Sequence, residues 1–425
     1  MKAMNTIRFI RKTTKMTTLF IFLMSIALIS CQKQEPEQEN PFDLPQKSAE
    51  LIEADNAFGL EFFKKVTQQA NPMDNTMVSP LSVSLALSMT YNGAEGLTKT
   101  EMEKTLRLNG ISTTQINDSH KALLAALKSA DPDVLLEIAN AIYYRQGLPV
   151  KEQFIATNKN YYDAEVQPLN FDAVDAADII NQWVAKKTRD KIPEIIDQID
   201  GDLAMILLNA IYFNGIWQYK FDENKTHELP FRHGDGTFKD VATMSQETSL
   251  EYYSNDKFSA VHLPYGKGQY RMTVLLPDED LSTQNLLADM TLPNWKGWLK
   301  EFRKHDNVVV TMPRFKFAWE MTLNDILSSM GMPVAFNPNA ADFSGITGGK
   351  DLYIGFVKHK TYIDVNENGT EAAAVTAVGM FTTSMPADMP KKIYFTADRP
   401  FLFVITEKST GAILFIGEIR APEYS

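Results

Sequence analysis

The change in residue pattern near residue 203 limits the fold of this chain more than any other feature. Before it, apolar residues recur at helical spacing, as in Leu51, Phe58, Phe62 and Val66. After it, the runs LAMILLNAIYFNGIW, YRMTVLLP, NVVVTMP and PFLFVITEKSTGAILFIGEI are rich in β-branched and aromatic residues. Helices gathered in the first half and strands in the second predict an α+β fold rather than an alternating βαβ fold.

Local signals place several helices in the first half. In SPLSVSLALSMTYNG, Ser79 is placed to cap a helix whose first turn holds Pro80, and Asn92-Gly93 supplies its end. Thr98-x-x-Glu101 resembles a capping box that opens another helix, which Asn109-Gly110 can close. A further helix is predicted at 175–190. Because neither an internal repeat nor a linker divides residues 51–425, we expect one large domain there.

The first 30 residues read as a targeting segment rather than as part of the fold. Five basic residues and no acid precede the short apolar run LFIFLMSIALIS, which is too short to span a bilayer. The run ends in Leu28-Ile29-Ser30-Cys31, which resembles a bacterial lipobox and implies that Cys31 is lipidated as the mature N-terminus. The alternative is a plain secretory signal with an incidental cysteine. Cys31 is the only cysteine, so no intrachain disulfide can form.

Residues 32–50, QKQEPEQENPFDLPQKSAE, are polar, acidic and proline-bearing, which predicts a tether between lipid and domain. The natural location is then a bacterial cell envelope, with the chain anchored by lipid in the outer membrane, surface-exposed or extracellular. The net charge of −11 becomes −16 once the five N-terminal cations are set aside. Without a compensating basic stripe, neither nucleic acid nor an anionic polysaccharide is an expected partner.

The sequence offers no recognisable catalytic or cofactor site. It contains no G-x-S-x-G elbow, no H-E-x-x-H pair and no P-loop. The six histidines are far apart in sequence, and the one cysteine is assigned to the lipid. We therefore expect no metal, no cofactor and no enzymatic turnover.

The segment NENGTEAAAVTAVGMFTTSMPADMP, from residue 366, has the position of a loop but the composition of a buried strand. If it forms a strand, alternate side chains share a face. One face would hold Thr370, Ala372, Ala374, Thr376, Val378 and Met380. Within 370–381 the only charge is Glu371, which falls on the other face, and no proline interrupts 366–385. Burying six such side chains at ~1–2 kcal/mol each would stabilise the strand form by roughly 10 kcal/mol.

Several long motifs, in order over some 370 residues, resemble those of the serpin family. These are NTMVSPLSVSLALSMTYNGAEG, LLNAIYFNGIWQYKF, MPRFKFAWEMTLNDILSSMGMPVAF with ADFSGIT, VNENGTEAAAVTAV, and DRPFLFVITEKSTGAILFIGEIRAP. The resemblance implies an α+β serpin fold, in which helices pack on a large central mixed sheet A, with two further sheets and an exposed reactive-centre loop at about 367–392.

The resemblance also carries roles to particular positions. Ser79, Ser82, Asn209 and His359 fall on the family's shutter, where sheet A must part. Trp217 falls on the family's breach position, at the top of that sheet. Glu367 and Arg314 match a charged pair that supports the hinge from the neighbouring strand. The hinge positions are Glu367, Gly369, Thr370, Glu371, Ala372, Ala373 and Ala374. For each position the plainer alternative is ordinary packing or a buried polar contact.

The implied activity is irreversible inhibition of proteases. A protease attacks the loop as a substrate and forms an acyl-enzyme, the cleaved loop inserts into sheet A, and the tethered protease is distorted. Family spacing places the cleaved bond at Thr383–Ser384. A longer loop would move the bond toward Pro386. The alternative positions for the bond are Met380, Phe381 and Met385.

The implied partner is a serine protease of elastase, chymotrypsin or subtilisin type, because 372–390 contains no Lys or Arg. A papain-like cysteine protease remains open, and we expect the inhibitor to be a monomer. The competing interpretations are a non-inhibitory serpin that acts as a binding or structural surface protein, and a cell-surface hydrolase or glycan-binding lipoprotein.

Overall fold

The helices follow the caps and apolar spacings of the sequence. The structure is a computed structural model, and it describes residues 41–199, 201–370 and 392–424. The helices are α1 Ser48–Thr67, α2 Pro80–Tyr91, α3 Gly96–Thr105, α4 Thr113–Ser129, α5 Glu152–Tyr162, α6 Ala176–Lys187, α7 Thr283–Asp289, α8 Leu292–Glu301, α9 Asn324–Met330 and α10 Ser344–Thr347. Within the three described ranges, no helix is both long enough and apolar enough to cross a membrane.

The beginning of α2 confirms the predicted cap. The Ser79 hydroxyl accepts the Ser82 N–H at 3.3 Å, Pro80 occupies the first turn, and the helix ends at Tyr91, before Asn92. Nearly every α2 residue is buried, because the helix contacts β4 of one sheet and β15 of the other. A helix buried on all sides needs no amphipathic pattern. The helix predicted at 175–190 is α6.

The capping box predicted at Thr98 was wrong. Helix α3 begins at Gly96 and ends at Thr105, well before Asn109-Gly110. The Thr98 hydroxyl accepts the N–H of Asp342 at 2.8 Å, and the Glu101 carboxylate accepts the N–H of Val334 at 2.9 Å. Tertiary contacts therefore occupy the two side chains that a capping box would use.

The folded unit begins earlier than residue 51. It extends from Phe42 to Ser425; α1 begins at Ser48, whose side chain is buried, and Leu44 packs against the core. Residues 42–50 therefore belong to the fold rather than to the predicted tether. Composition alone does not reveal that Leu44 packs against the core.

The strands form two sheets among the described residues. The strands are β1 Thr76–Val78, β2 Val134–Arg145, β3 Ala164–Leu169, β4 Met205–Ile216, β5 His227–Arg232, β6 Phe238–Ser254, β7 Phe258–Tyr265, β8 Tyr270–Pro277, β9 Arg303–Pro313, β10 Phe315–Thr322, β11 Lys358–Asn366, β12 Gly369–Thr370, β13 Ile393–Thr396, β14 Phe401–Glu407 and β15 Ile413–Ile419. The six-stranded sheet, which we call sheet A, has the order β10-β11-β12-β4-β2-β3. It is mixed, since β2 and β3 are parallel and its other pairs are antiparallel.

The two further sheets expected from the resemblance form one hydrogen-bonded network in this structure. The nine-stranded sheet has the order β1-β15-β14-β8-β7-β6-β9-β13, with β5 on β6. Strand β6 is 17 residues long; one part of it pairs with β5 and β9, and its last residues pair with β7. Strand β6 therefore joins β5 and β9 to β7 and the strands beyond it in one sheet.

The main apolar core lies between the two sheets, around α2. Phe213 of β4 packs edge-on against Phe415 of β15, with ring centroids 6.4 Å apart. A second apolar cluster, which includes Ile180, Trp183 and Val184 of α6, covers the other face of β2 and β4. Both faces of sheet A are thus packed along β2 and β4. Any movement of these strands must therefore change the packing of the two apolar clusters.

Candidate functional site

The shortest strand of sheet A marks the candidate site. Strand β12 consists of Gly369 and Thr370 and lies between β11 and β4. Thr370 pairs with Val365 on one side and with Gly215 on the other, both antiparallel. The predicted hinge therefore starts inside the sheet: Glu367, Gly369 and Thr370 are buried, so these residues are not part of an exposed loop.

Close backbone approach explains the glycine of β12. Gly369 has φ +153°, and a Cβ on it would lie 2.1 Å from the carbonyl oxygen of Gly215. Since such a contact is too short for any side chain, a residue other than glycine would push β12 away from β4. The sequence requirement at 369 is thus steric.

An aromatic stack holds Thr370 from the side. The Thr370 hydroxyl lies 2.6 Å from the Tyr265 hydroxyl, and both side chains are buried. The rings of Tyr265 and Trp217 stack with centroids 4.3 Å apart. Burial raises the pKa of the Tyr265 hydroxyl well above its usual value, so it stays protonated and can donate.

Trp217 fastens the turn that leads into β12. Its indole N–H donates to the carbonyl of Asn366 at 2.9 Å, and its backbone N–H donates to the carbonyl of Asn368 at 2.9 Å. The first residue after β4 therefore holds both ends of the β11–β12 turn, which fixes the direction in which the chain enters the sheet.

Glu367 is a buried carboxylate with partners on other elements. Its Oε1 lies 2.8 Å from Nε of Arg314, and the Thr226 hydroxyl donates to the same oxygen. Its carbonyl accepts the N–H of Phe221 at 3.0 Å. The Arg314 guanidinium lies over the Tyr424 ring, 5.2 Å from the centroid. The pair anchors the turn before β12 to the segment that joins β9 and β10.

The N-terminus of α2 connects the two strands on either side of β12. The Ser79 N–H donates to Nε2 of His359 on β11 at 3.0 Å, and the Ser82 hydroxyl donates to the side-chain oxygen of Asn209 on β4. The network continues across the sheet, since the Asn209 amide donates to the Asn140 oxygen on β2 at 2.6 Å. The first turn of α2 therefore bridges β11 and β4, and these bonds must change if the strands separate.

His359 is neutral in this arrangement. Its Nε2 accepts a backbone N–H, which requires an unprotonated nitrogen, and the side chain is buried. Burial lowers the pKa of His359 to about 4. The positive form is disfavoured because no acid offsets the loss of water.

Comparison with known proteins now identifies the family and the fold. Residues 53–422 match the family model described as "Serpin (serine protease inhibitor)". The chain belongs to the serpin family. It is similar to the leukocyte elastase inhibitor of Homo sapiens, with 35% identity over 385 residues that cover 88% of this chain and 100% of the inhibitor. It is also 35% identical over 379 residues to an uncharacterized serpin-like protein of Methanosarcina acetivorans, covering 88% of this chain and 87% of that protein.

Solved serpin structures share this architecture. The native state of tengpin, a thermophilic serpin, superposes with a TM-score of 0.79 at 32% identity over 88% of this chain and 94% of tengpin. Human thyroxine-binding globulin superposes with a TM-score of 0.80 at 27% identity over 89% of this chain and all of the globulin chain. The serpin fold predicted from the sequence motifs is confirmed.

The structure brings the predicted serpin positions into two groups. One group consists of Trp217, Arg314, Glu367, Gly369 and Thr370, at the end of sheet A where β12 lies. The other consists of Ser79, Ser82, Asn209 and His359, at the start of α2. The remaining predicted positions lie outside the described residues; they are Cys31, Glu371, Ala372, Ala373, Ala374, Met380, Phe381, Thr383, Ser384 and Met385.

Sequence reasoning missed several partners of these serpin positions. Tyr265, Thr226 and Asn140 each contact a predicted residue, yet none lies near its partner in sequence. Thr361 was also missed; its hydroxyl donates to the carbonyl of Met77 at 2.8 Å. Its alternation with His359 on the buried face of β11 is the one sequence feature that could have indicated this buried contact.

Proposed function

We propose that this serpin is an irreversible suicide-substrate inhibitor of extracellular or cell-surface proteases. Its relatives by sequence include a leukocyte elastase inhibitor, and the family model is described as a serine protease inhibitor. Both support protease inhibition as the general kind of activity. In this proposal the protein has no turnover of its own, because each molecule is consumed with the protease that it traps.

The position of β12 carries the proposal. Gly369 and Thr370 are already paired between β11 and β4, and they run antiparallel to both strands. Thr370 borders a small pocket, whose lining includes Ile211, Phe213 and Ile363. The residues that follow in sequence on the same face are small or apolar. Extending β12 would therefore bury them without a charge or a proline in the way.

The chemistry of the trap is that of the attacking protease. Its nucleophile adds to the carbonyl of the scissile residue, the peptide nitrogen leaves as a new amino terminus, and an ester or thioester joins the two proteins. Release of that end lets 371 and the following residues add to β12. The covalently attached protease is carried with them, so water does not complete the hydrolysis.

We propose a bond near Thr383–Ser384, with Met380, Phe381 and Met385 as the other candidates. None of these side chains is cationic, which favours a serine protease of elastase, chymotrypsin or subtilisin type over a trypsin-like one. A papain-like cysteine protease fits the same side chains. In the proposed setting Cys31 carries a lipid, and the inhibitor is held at a bacterial cell envelope by residues 32–41.

A non-inhibitory role is the second candidate, and one observation favours it. Thyroxine-binding globulin, whose solved structure is a complex with thyroxine, superposes on this chain as well as tengpin does. A serpin of that kind would be cleaved in the loop without trapping the protease.

Incubation with a panel of proteases separates the two candidates. An inhibitor gives a complex that survives SDS and boiling, and mass spectrometry of the released C-terminal fragment identifies the scissile bond. Cleavage by every protease of the panel without any such complex would refute the proposed function and favour the binding role.

A further inference from the structure

A cationic cleft is lined in part by Gln218 and Pro264, which are the sequence neighbours of Trp217 and Tyr265. It is open to solvent rather than enclosed. Its wall includes Gln218, which follows Trp217 and whose N–H donates to the carbonyl of Pro264 at 2.8 Å. The charged residues and the histidine that line it are Glu251, His262, Lys267, Arg271, Lys304 and Lys408.

Arg271 on β8 forms part of the floor and is underpaired. Its side chain is 15% exposed, and its Nε has no hydrogen-bond partner among the described residues. Its nearest acid is Glu251, whose oxygen lies 3.7 Å from Nη1, too far for a hydrogen bond. Burial lowers the pKa of Arg271, although a guanidinium remains charged. A buried cation normally has fuller compensation than this.

His262 on β7 is the second floor group, and it has a free nitrogen. The residue is 2% exposed; its Nδ1 lies 2.9 Å from the Thr273 hydroxyl, and its Nε2 has no partner within the described ranges. Burial, followed by the charges of Arg271 and Lys408, holds the pKa of His262 well below its usual value. When Thr273 donates to Nδ1 of the neutral ring, Nε2 carries a hydrogen and needs an acceptor.

Three lysines form the rim of the cleft. Lys267, Lys304 and Lys408 are exposed, come from three different segments, and form no ion pair with other described residues. Against these three lysines and Arg271 the lining offers one acid, Glu251, so the cleft is positive in a chain whose net charge is −11.

Two further acids lie near the cleft, and backbone N–H groups hold their carboxylates in place. Glu407 accepts the N–H groups of Ser409 and Thr410 at 2.8 and 2.7 Å. Asp131 accepts the N–H of Lys267 at 2.7 Å. Both carboxylates keep their negative charge, and Glu407 partly offsets the charge of Arg271. Nε of Arg271 and Nε2 of His262 nevertheless have no acceptor among the described residues.

We propose that this cleft binds a small polyanion that carries phosphate or carboxylate groups. One oxyanion group accepts hydrogen bonds from Nε of Arg271 and Nε2 of His262 at the floor, and a second group lies among the rim lysines. Charge-assisted bonds to a guanidinium in a sheltered cleft are the strong class of such contacts. Binding to the native cleft stabilises the native fold, whether or not the protein inhibits a protease.

Titration calorimetry of the full chain at constant ionic strength tests this, with pyrophosphate and citrate as probes. We expect saturable binding of at least one, and the tighter probe shows whether phosphate or carboxylate is preferred. Arg271→Gln should weaken binding by about tenfold or more. The rim variant Lys267→Gln/Lys408→Gln should weaken it by several-fold to tenfold and leaves the buried floor intact. Lys239→Gln removes an exposed lysine elsewhere on β6 and should change the dissociation constant less than twofold.

Absence of saturable binding by both probes would overturn the proposal. So would wild-type affinity in the rim variant, since the charge of the cleft would then be irrelevant. The rim variant keeps the test decisive even if Arg271→Gln lowers stability, because its two substitutions are at exposed positions.

Discussion

The hydroxyl of Tyr265 lies 2.6 Å from the hydroxyl of Thr370, and both are shielded from water. One belongs to the last residue of β7, in the nine-stranded sheet, and the other to the two-residue strand at the entrance to sheet A. The bond therefore links the proposed hinge of this serpin to a strand outside sheet A.

Tyr265→Phe should lower the free energy of unfolding by about 1–3 kcal/mol, because the Thr370 hydroxyl is left buried without its partner. In a cycle with Thr370→Val, the double variant should lose less than the sum of the two single variants. Urea unfolding gives the four values. Tyr394→Phe, at a tyrosine that is 68% exposed, serves as the control and should cost less than about 0.5 kcal/mol. Strict additivity would contradict a direct bond.

Arg314→Met should destabilise the native protein by about 1–3 kcal/mol. It leaves the buried Glu367 carboxylate with the Thr226 hydroxyl as its side-chain partner, and removing one member of a buried pair costs more than the pair is worth. The lower part of the range reflects the 28% exposure of the Arg314 side chain. Arg303→Met, whose ion pair with Glu301 is exposed and 3.9 Å long, should be nearly neutral. Equal effects of the two substitutions would show that burial of Glu367 does not matter.

His359 should make stability fall on acidification. The pKa of the residue is about 4 in the native protein and about 6.5 in the unfolded chain. Between these values the unfolded chain binds a proton that the native state does not, so stability rises with pH. The contribution is complete above pH 6.5, and about 3 kcal/mol of it is lost by pH 4.

Denaturant unfolding from pH 7.5 to 4 measures this loss. His359→Gln keeps an acceptor for the Ser79 N–H but cannot titrate, so its stability should vary less with pH than that of the wild type. His227→Gln, at an exposed position, should leave the pH profile unchanged. Identical profiles for His359→Gln and the wild type would rule out this histidine as the source.

The parts predicted from sequence are those with local signals. The cap at Ser79 and the apolar run of β4 each indicate their structure within a few residues. Strand β2 was not predicted, because IANAIYY carries Ala and Asn, which are weak strand formers, and its state depends on pairing with β3 and β4.

The contacts of the candidate site required the fold. Tyr265 and Thr370 are 105 residues apart, and the pairs that link Ser79 to His359 and Asn140 to Asn209 are also distant in sequence. The same holds near the start of α3, where the Thr98 hydroxyl accepts the N–H of Asp342 instead of capping its own helix. Local pattern cannot indicate such partners.

Under the proposed function, Thr370→Arg should convert the inhibitor into a substrate. A long cation on the buried face of β12 obstructs extension of the strand, so the protease completes hydrolysis before the loop is inserted. Gel electrophoresis should show loss of the SDS-stable complex and a matching gain of cleaved protein. Thr396→Arg introduces the same charge at an exposed position of β13 and should leave complex formation unchanged. An undiminished yield of complex from Thr370→Arg would argue against insertion.

The most direct test of the account is the thermal unfolding of the protein before and after cleavage within residues 380–386 by a protease that is not trapped. Thr370 is already buried, and insertion would bury the next five side chains of its face, which adds about 5–10 kcal/mol. The account predicts that the midpoint of unfolding rises by on the order of 10 °C. A cleaved protein that unfolds at the same temperature as the intact one would contradict it.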